Sequence, residues 1–338
     1  MSLYSRIRHA LPSLLGVAAL LTSGAVWADV SARFDGRTIE YAVGSKPGGG
    51  YDRTTRLIAP FLQKHLTGSS VYVANADRAN GLVALNRLAT SDGGKSTILM
   101  LNSGFFLNQI AGNPRLRADL AALPYIGKAT SEARYLVMTP ESGISTFEEL
   151  LASERTLLFP ADSVGNNSYV QAHLLRLVFG INLRVVTGFG GSESQAAMAK
   201  GEIDGDLISE SNVARLLAAG SGVPILRFGA AQNPDLAHVP DAIGVARTPD
   251  QALVVRQFEI LTALGRVTVA APAMDQDDLA ALQAAFMAAM NDPELQAEAE
   301  RQGVYLDPLP GDEVARLVRD FIDTDPRFAE LTVRAIAR

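Results

Sequence analysis

A chain of 338 residues, 48% hydrophobic and 20% charged, can bury a core large enough for about two domains, which excludes the disordered and fibrous classes. Its 36 acidic residues outnumber 30 basic ones, so nucleic acid and anionic membrane surfaces are poor partners, although a local ring of backbone amides can still hold a small anion. Cysteine is absent, which removes disulfides, thiolate metal sites, cysteine nucleophiles and a lipidated cysteine.

Residues 1–28 hold Arg6 and Arg8, an apolar run from about Leu14 to Val26, and Val26-Trp-Ala28, the three-part layout of a secretory signal cleaved after Ala28. The run is shorter than the ~20 residues a spanning helix needs, so the chain reads as exported. Cleavage would remove two of the basic residues and none of the acidic ones, deepening the negative charge. Alternation of Ile39, Tyr41 and Val43 predicts a strand over 38–43, and Leu57, Ile58, Phe61, Leu62 and Leu66 follow at helical spacing. Pro60 conflicts with hydrogen bonding in that helix. A strand over 71–74, a helix over 81–89 and a strand over 97–101 complete a parallel α/β unit.

The pattern then restarts. Thr146 with Glu149 is a capping box, 156–159 a strand, 168–179 a helix closed by Gly180, and 183–186 a strand. Ser192 with Gln195 makes a second capping box on a helix ending at Gly201, and short strands follow over 206–209 and 224–228. An apolar run over 260–271 leads to two or three helices, with Asp275 as an N-cap and Leu279, Leu282, Phe286 and Met290 on one face. Crossings near 134–140 and 257–264 predict an α/β protein of two lobes. The signal peptide is 1–28, lobe 1 is 29–133 plus 258–338, lobe 2 is 134–257, and a ligand cleft lies between them.

Three loops fall at the carboxyl end of a predicted strand and just before a helix, where open α/β sheets bind ligands. They are Pro47 to Asp52, Ala161 to Ser168, and Thr187 to Ser192. Helix N-termini offer unsatisfied N–H groups and a partial positive charge, so a carboxylate placed there is stabilised without a lysine. Tight turning alone explains any one of them; three across two lobes point to an anionic ligand.

Other chemistries have thin support. Gly94-Lys95-Ser96 lacks the first glycine of a phosphate loop, and Gly188-Phe-Gly190-Gly-Ser-Glu193 has Glu193 where a dinucleotide fingerprint needs glycine. His65, His173 and His238 read as partly exposed helix and loop residues without metal-ligand spacing. Serines near Gly165, such as Ser163 and Ser168, and near Gly190 suggest a hydrolase, but neither stretch gives a Gly-x-Ser-x-Gly elbow and no Asp and His follow in triad order, so a secreted hydrolase is the weaker alternative, and no catalytic residue, metal or cofactor is expected. Asp204 with Asp206 reads as a solvated loop.

The run Pro47-Gly-Gly-Gly-Tyr-Asp-Arg-Thr-Thr-Arg56 resembles the opening signature of the substrate-binding proteins of tripartite tricarboxylate transporters, the TctC or Bug family. Further matches follow in the family's order: Val73-Ala-Asn75 to Gly81, Asp92-Gly93 before Thr97, Val164-Gly-Asn-Asn-Ser168, Phe189-Gly190 with Lys200-Gly-Glu-Ile-Asp204, and a tail from Ala271-Pro272 through Asn291-Asp-Pro-Glu294 to Gly303. The chain departs from the family at Phe189, where lysine is frequent, and near Arg78, where glycine is common.

This resemblance implies a periplasmic binding protein fold of type II. It further implies a periplasmic monomer that is not an enzyme, carrying a di- or tricarboxylate or an aromatic acid to membrane permease subunits. A signalling module that serves no transporter is the alternative. Carried over position by position, first-lobe contacts are Gly48, Gly49, Gly50, Arg78, Ala79, Asn102 and Ser103. Opposing contacts are Ser163, Gly165, Asn166, Asn167, Ser168, Gly190, Gly191 and Ser192. Asp52, which sits among them, reads as a helix cap or loop clamp, because its carboxylate would repel an anionic ligand. Arg78 reads as a bidentate anchor for a distal acid group or as a solvated surface arginine.

Overall fold

The structure is a computed structural model that describes residues 32–92, 96–131, 133–190 and 192–337. The signal expected over 1–28 lies outside the described residues. Among the described residues, no helix is long and apolar enough to cross a membrane.

The first sheet has six strands in the order β11-β4-β10-β3-β1-β2. These are β1 (Thr38–Val43), β2 (Ser70–Asn75), β3 (Thr97–Leu101), β4 (Tyr125–Thr130), β10 (Arg266–Ala270) and β11 (Leu309–Pro310). β1 runs parallel to β2 and β3, while β10 is antiparallel to both β3 and β4. The second sheet uses β5 (Arg134–Met138), β6 (Leu157–Ala161), β7 (Leu183–Thr187), β8 (Gly205–Ser209) and β9 (Val223–Phe228). Its β8-β5-β9 ladder is antiparallel and its β6-β7 ladder parallel. Asp204 joins the two ladders: its N–H donates to the Leu158 carbonyl at 2.9 Å, and its carboxylate accepts the Leu158 N–H at 2.7 Å.

Leaving aside β11, and taking the β8-β5-β9 and β6-β7 ladders together across the Asp204 link, the two lobes share one strand order. β2-β1-β3-β10-β4 matches β7-β6-β8-β5-β9, and in each the antiparallel strand next to the last is the one that enters from the other lobe. The sequence gives no sign of a repeat because strand order is set by pairing between residues far apart along the chain.

Helices fill the connections: α1 (Gly50–Lys64), α2 (Leu82–Ala89), α3 (Gly104–Ile110), α4 (Phe147–Ala152), α5 (Asn167–Phe179), α6 (Ser192–Ala199), α7 (Glu210–Ala218), α8 (Ala242–Val245) and α9 (Pro249–Leu264). After β10 come α10 (Gln276–Met290), α11 (Pro293–Arg301), α12 (Gly311–Ile322) and α13 (Pro326–Ile336). α1 continues through Pro60, which lies on its exposed side while Leu57, Ile58, Ala59 and Leu62 are buried. The capping box of Thr146 with Glu149 forms as expected, and Asp275 caps α10 through the N–H groups of Asp277 and Asp278. The apolar run over 260–271 is split by Gly265 into the end of α9 and the strand β10.

One apolar cluster runs through both lobes, joining Leu99, Phe106 and Tyr125 of the first to Leu136, Leu157 and Leu174 of the second. The crossings lie side by side. Lys128, 3% exposed, donates from Nζ to Ser131 Oγ at 2.7 Å, to the Ala263 carbonyl at 3.2 Å and to Asp307 Oδ2 at 2.8 Å, so it ties both crossings to lobe 1. Gly265 has φ +52°, and a Cβ there would lie 1.7 Å from the Thr130 carbonyl oxygen. Only glycine lets the two crossings meet at that point.

Candidate ligand-binding site

The carboxyl ends of β1, β3, β6, β7 and β8 face one cavity of about 820 Å³ between the lobes. Among the expected residues, Gly49, Gly50, Ala79, Asn102, Ser103, Ser163, Asn166, Asn167, Ser168 and Gly190 line it. Ser192 opens α6, and Gly191 lies outside the described residues. Gly48, Asp52, Arg78 and Gly165 are not part of the lining. Arg78 is exposed. The Gly165 carbonyl accepts from Asn108 Nδ2 at 2.9 Å, which fastens the 162–168 loop to α3 of the opposite lobe.

Asp52 is 3% exposed and holds the glycine loop from behind. It accepts the Gly48 N–H at 2.8 Å, Asn75 Nδ2 at 2.8 Å and Arg56 Nε at 3.0 Å. Burial pushes its carboxyl up, but the Gly48, Arg56 and Asn75 hydrogen bonds outweigh that and leave it below the ordinary value. It acts as the clamp the sequence suggested, and its charge is consumed before it can oppose a ligand.

The three glycines of this loop answer to different constraints. Gly48 has φ +79°, Gly49 leaves its absent Cβ 3.3 Å from the Lys46 carbonyl oxygen, and a Cβ on Gly50 would sit 2.8 Å from Arg266 Nη2. Gly50 thus makes room for a guanidinium. Arg266 opens β10, is 7% exposed, lines the cavity, donates from Nη1 to Thr54 Oγ1 at 2.6 Å and lies 5.6 Å from the Tyr51 ring centroid. Beside it, the Tyr51 hydroxyl meets Ser103 Oγ at 3.1 Å. α1 begins at Gly50, and its N-cap Gly49 has no side chain to cap it, so its first N–H groups remain for a ligand. Across the cavity α7 begins at Glu210, and its N-cap Ser209 likewise makes no side-chain cap hydrogen bond. In contrast, Asn166 spends its side chain on the Tyr169 N–H at 2.9 Å.

The 78–81 loop completes the near wall. Ala79 and Asn80 have φ of +50° and +57°, a left-handed backbone that costs a non-glycine residue about 1–2 kcal/mol. The conformation is held where Gly81 and Gly44 cross: a Cβ on Gly81 would lie 2.7 Å from the Gly44 Cα.

Acidic groups line the cavity as well. Lys46 Nζ of lobe 1 pairs with Glu193 Oε1 of lobe 2 at 3.0 Å, bridging the lobes at the mouth. The Gly190 N–H and then the Lys46 ammonium hold the Glu193 carboxyl below its usual range. Burial pushes Asp162 up. The reading of Asp204 and Asp206 as a solvated loop is corrected here: Asp206 is 6% exposed within β8 and lines the cavity, and Asp204 pairs with Arg155 at 2.6 Å while stitching β6 to β8. Burial raises the Asp206 carboxyl to about 6, against the Arg134 charge and the Ser194 and Leu207 hydrogen bonds that lower it. His173 is also buried, not partly exposed, its ring tilted 55° against that of Tyr169 with centroids 4.4 Å apart.

Sequence reasoning missed Arg266, Asp206, Gln171 and the Lys46–Glu193 bridge. A signal existed for two of them: Arg266 and Asp206 are charges inside short apolar runs that read as buried strands, and a buried charge needs a partner or a role.

No family model matches the chain. A curated protein of Pseudomonas sp. (strain P51), described as a UPF0065 protein in the tcbD-tcbE intergenic region, is 24% identical over 262 residues, spanning 75% of this chain and 74% of that one. The solved structure of the periplasmic binding protein BugD superposes with a TM-score of 0.72 at 16% identity, covering 88% of this chain and 97% of that one. MatC from Rhodopseudomonas palustris with bound malate gives 0.69 at 20% identity, with 87% and 98% covered. An R. palustris protein with adipate gives 0.68 at 17%, with 89% and 97% covered. These likenesses bear out the fold that the resemblance implied: the chain has the two-lobed type II periplasmic binding protein fold, which it shares with the solved BugD and TctC structures.

Proposed function

We propose that the chain is a periplasmic solute-binding protein that captures a small carboxylate between its lobes and, as a monomer, delivers it to a tripartite tricarboxylate-type membrane permease. The jaws are lobe 1 (29–133 plus 258–338) and lobe 2 (134–257), joined through α9. The observation that carries this reading is the placement of Arg266 beside the uncapped N-terminus of α1 on one cavity wall. A buried carboxylate needs each oxygen hydrogen-bonded, and this wall offers a guanidinium, helix N–H groups and the hydroxyls of Tyr51 and Ser103. Malate and adipate in two proteins of the same fold support the choice of an acid. Contacts present only when the lobes meet, such as Lys46–Glu193, favour the closed form, and that form is what a permease would recognise.

Thermal unfolding against a panel of mono-, di-, tri- and aromatic carboxylates tests this. A ligand at 100 times its Kd should add ~2.7 kcal/mol of stability. A shift with neutral solutes and none with any acid would refute the proposal.

A further inference from the structure

We propose that Asp206 and Gln171 form a distal subsite that accepts a hydrogen-bond-donating group, a hydroxyl or an ammonium, at the far end of the carboxylate ligand. This rests on the carboxylate reading of the cleft and narrows its substrate class to acids that carry such a donor. Two independent observations support it. Asp206 is a carboxylate 6% exposed in β8 on the cavity wall. It accepts the Leu207 N–H at 2.7 Å and a hydrogen bond from Ser194, and a carboxylate has about four lone-pair positions, so capacity remains for a donor in the cavity. Gln171, in α5, is 1% exposed, lines the same cavity, and its Oε1 has no hydrogen-bond partner. Buried amides are normally satisfied, so this one lacks a partner that a ligand would supply. Its two ends let it meet either member of a hydroxyl, or one proton of an ammonium.

Polarity along the cavity gives the same answer. Arg266 and the α1 N-terminus line the cavity from lobe 1, and Asp206 lines it from lobe 2 together with Arg134. Arg134 offsets part of the Asp206 charge, and its own Nη2 donates to the Leu207 carbonyl. A second carboxylate at this end would lie against a buried like charge, whereas a donor satisfies Asp206 and Gln171 together.

The test is calorimetric titration of the full chain with four matched series of four to six carbons: the plain acid, the ω-hydroxy acid, the ω-amino acid and the α,ω-dicarboxylate. The donor-bearing acids should bind about 10- to 100-fold more tightly than the dicarboxylate of the same length. Asp206→Asn should shrink that preference to about threefold or less by weakening the donor-bearing acids, and Gln171→Leu should weaken the donor-bearing acids more than the plain acid. Comparison of the amino and hydroxy arms identifies which donor is bound. A wild-type chain that takes dicarboxylates as tightly as donor-bearing acids overturns the subsite but leaves the carboxylate cleft standing. A chain that binds no acid in any series refutes both. If the variants do not fold by circular dichroism, the wild-type ranking alone decides.

Discussion

Replacing Gly50 with alanine separates what that position does for the helix from what it does for the ligand. Gly50 is the first residue of α1 and does not have a left-handed backbone, so alanine gains up to about 0.5–1 kcal/mol of helix propensity. Its methyl would lie 2.8 Å from Nη2 and 3.7 Å from Cζ of Arg266. The guanidinium must shift and strain or break its bond to Thr54 Oγ1, worth about 1.5–3 kcal/mol for a charged donor. Because the two effects oppose, the unliganded protein should lose no more than about 2.5 kcal/mol. Ligand affinity has no such compensation: losing one charge-assisted contact costs about 1.5–3 kcal/mol, roughly 10- to 150-fold in Kd. Thermal unfolding without ligand and calorimetry with the best acid of the panel read the two effects separately. An unchanged Kd would refute Arg266 as the anchor. A collapse of the unliganded fold would show that the glycine serves packing alone. Gly48→Ala is the control. With φ +79° and nothing within 4 Å of its missing Cβ, it should cost about 1–2 kcal/mol of stability through backbone strain and leave Kd alone.

Lys46→Ala removes a pair whose side chains are 54% and 49% exposed, so stability should fall by less than about 1 kcal/mol while ligand release, followed by stopped-flow, becomes a few-fold faster. Gly265→Ala places a methyl 1.7 Å from the Thr130 oxygen and should prevent folding, seen as loss of a cooperative melt. Asp206→Asn should stabilise the unliganded protein at neutral pH. The folded carboxyl sits near 6 instead of 3.8, so its ionisation opposes folding by about 3 kcal/mol above pH 6, and that penalty fades as pH falls from 6 toward 3.8. The gain in melting temperature should therefore be largest at pH 7–8 and small near pH 4; a gain independent of pH would contradict this account.

What was legible in the sequence was local. β1, the Thr146 capping box and the helix closed by Gly180 are written in neighbouring residues, and the structure places them where the pattern does. β4 and β5 went unrecognised because both are buried along nearly their whole length and show no alternation; three residues separate them, and they serve different sheets. Arg78 and Arg266 illustrate the same limit at the site. Arg78 neighbours a signature loop in sequence yet is exposed outside the cavity lining, whereas Arg266 is brought to Gly50 by β10 from far along the chain. The glycine run predicted close approach correctly but not its occupant, since a missing side chain does not identify what fills the space.

The placement of β10 has a consequence for how the chain is made. Every strand of the second sheet lies between residues 134 and 228, so that half can zip up as soon as it emerges. The first sheet must wait for residues 266–270, which wedge between β3 and β4 and, among the described residues, are the only strand joining them. Until they arrive, β3 and β4 each present a raw edge with a strand-wide slot between them, a sticky intermediate vulnerable to pairing with other chains. A nascent chain stalled or clipped before Ala270 would thus be a seed for aggregation, and a strand from the last quarter of the sequence serves as the closing tooth of a zipper begun at its start.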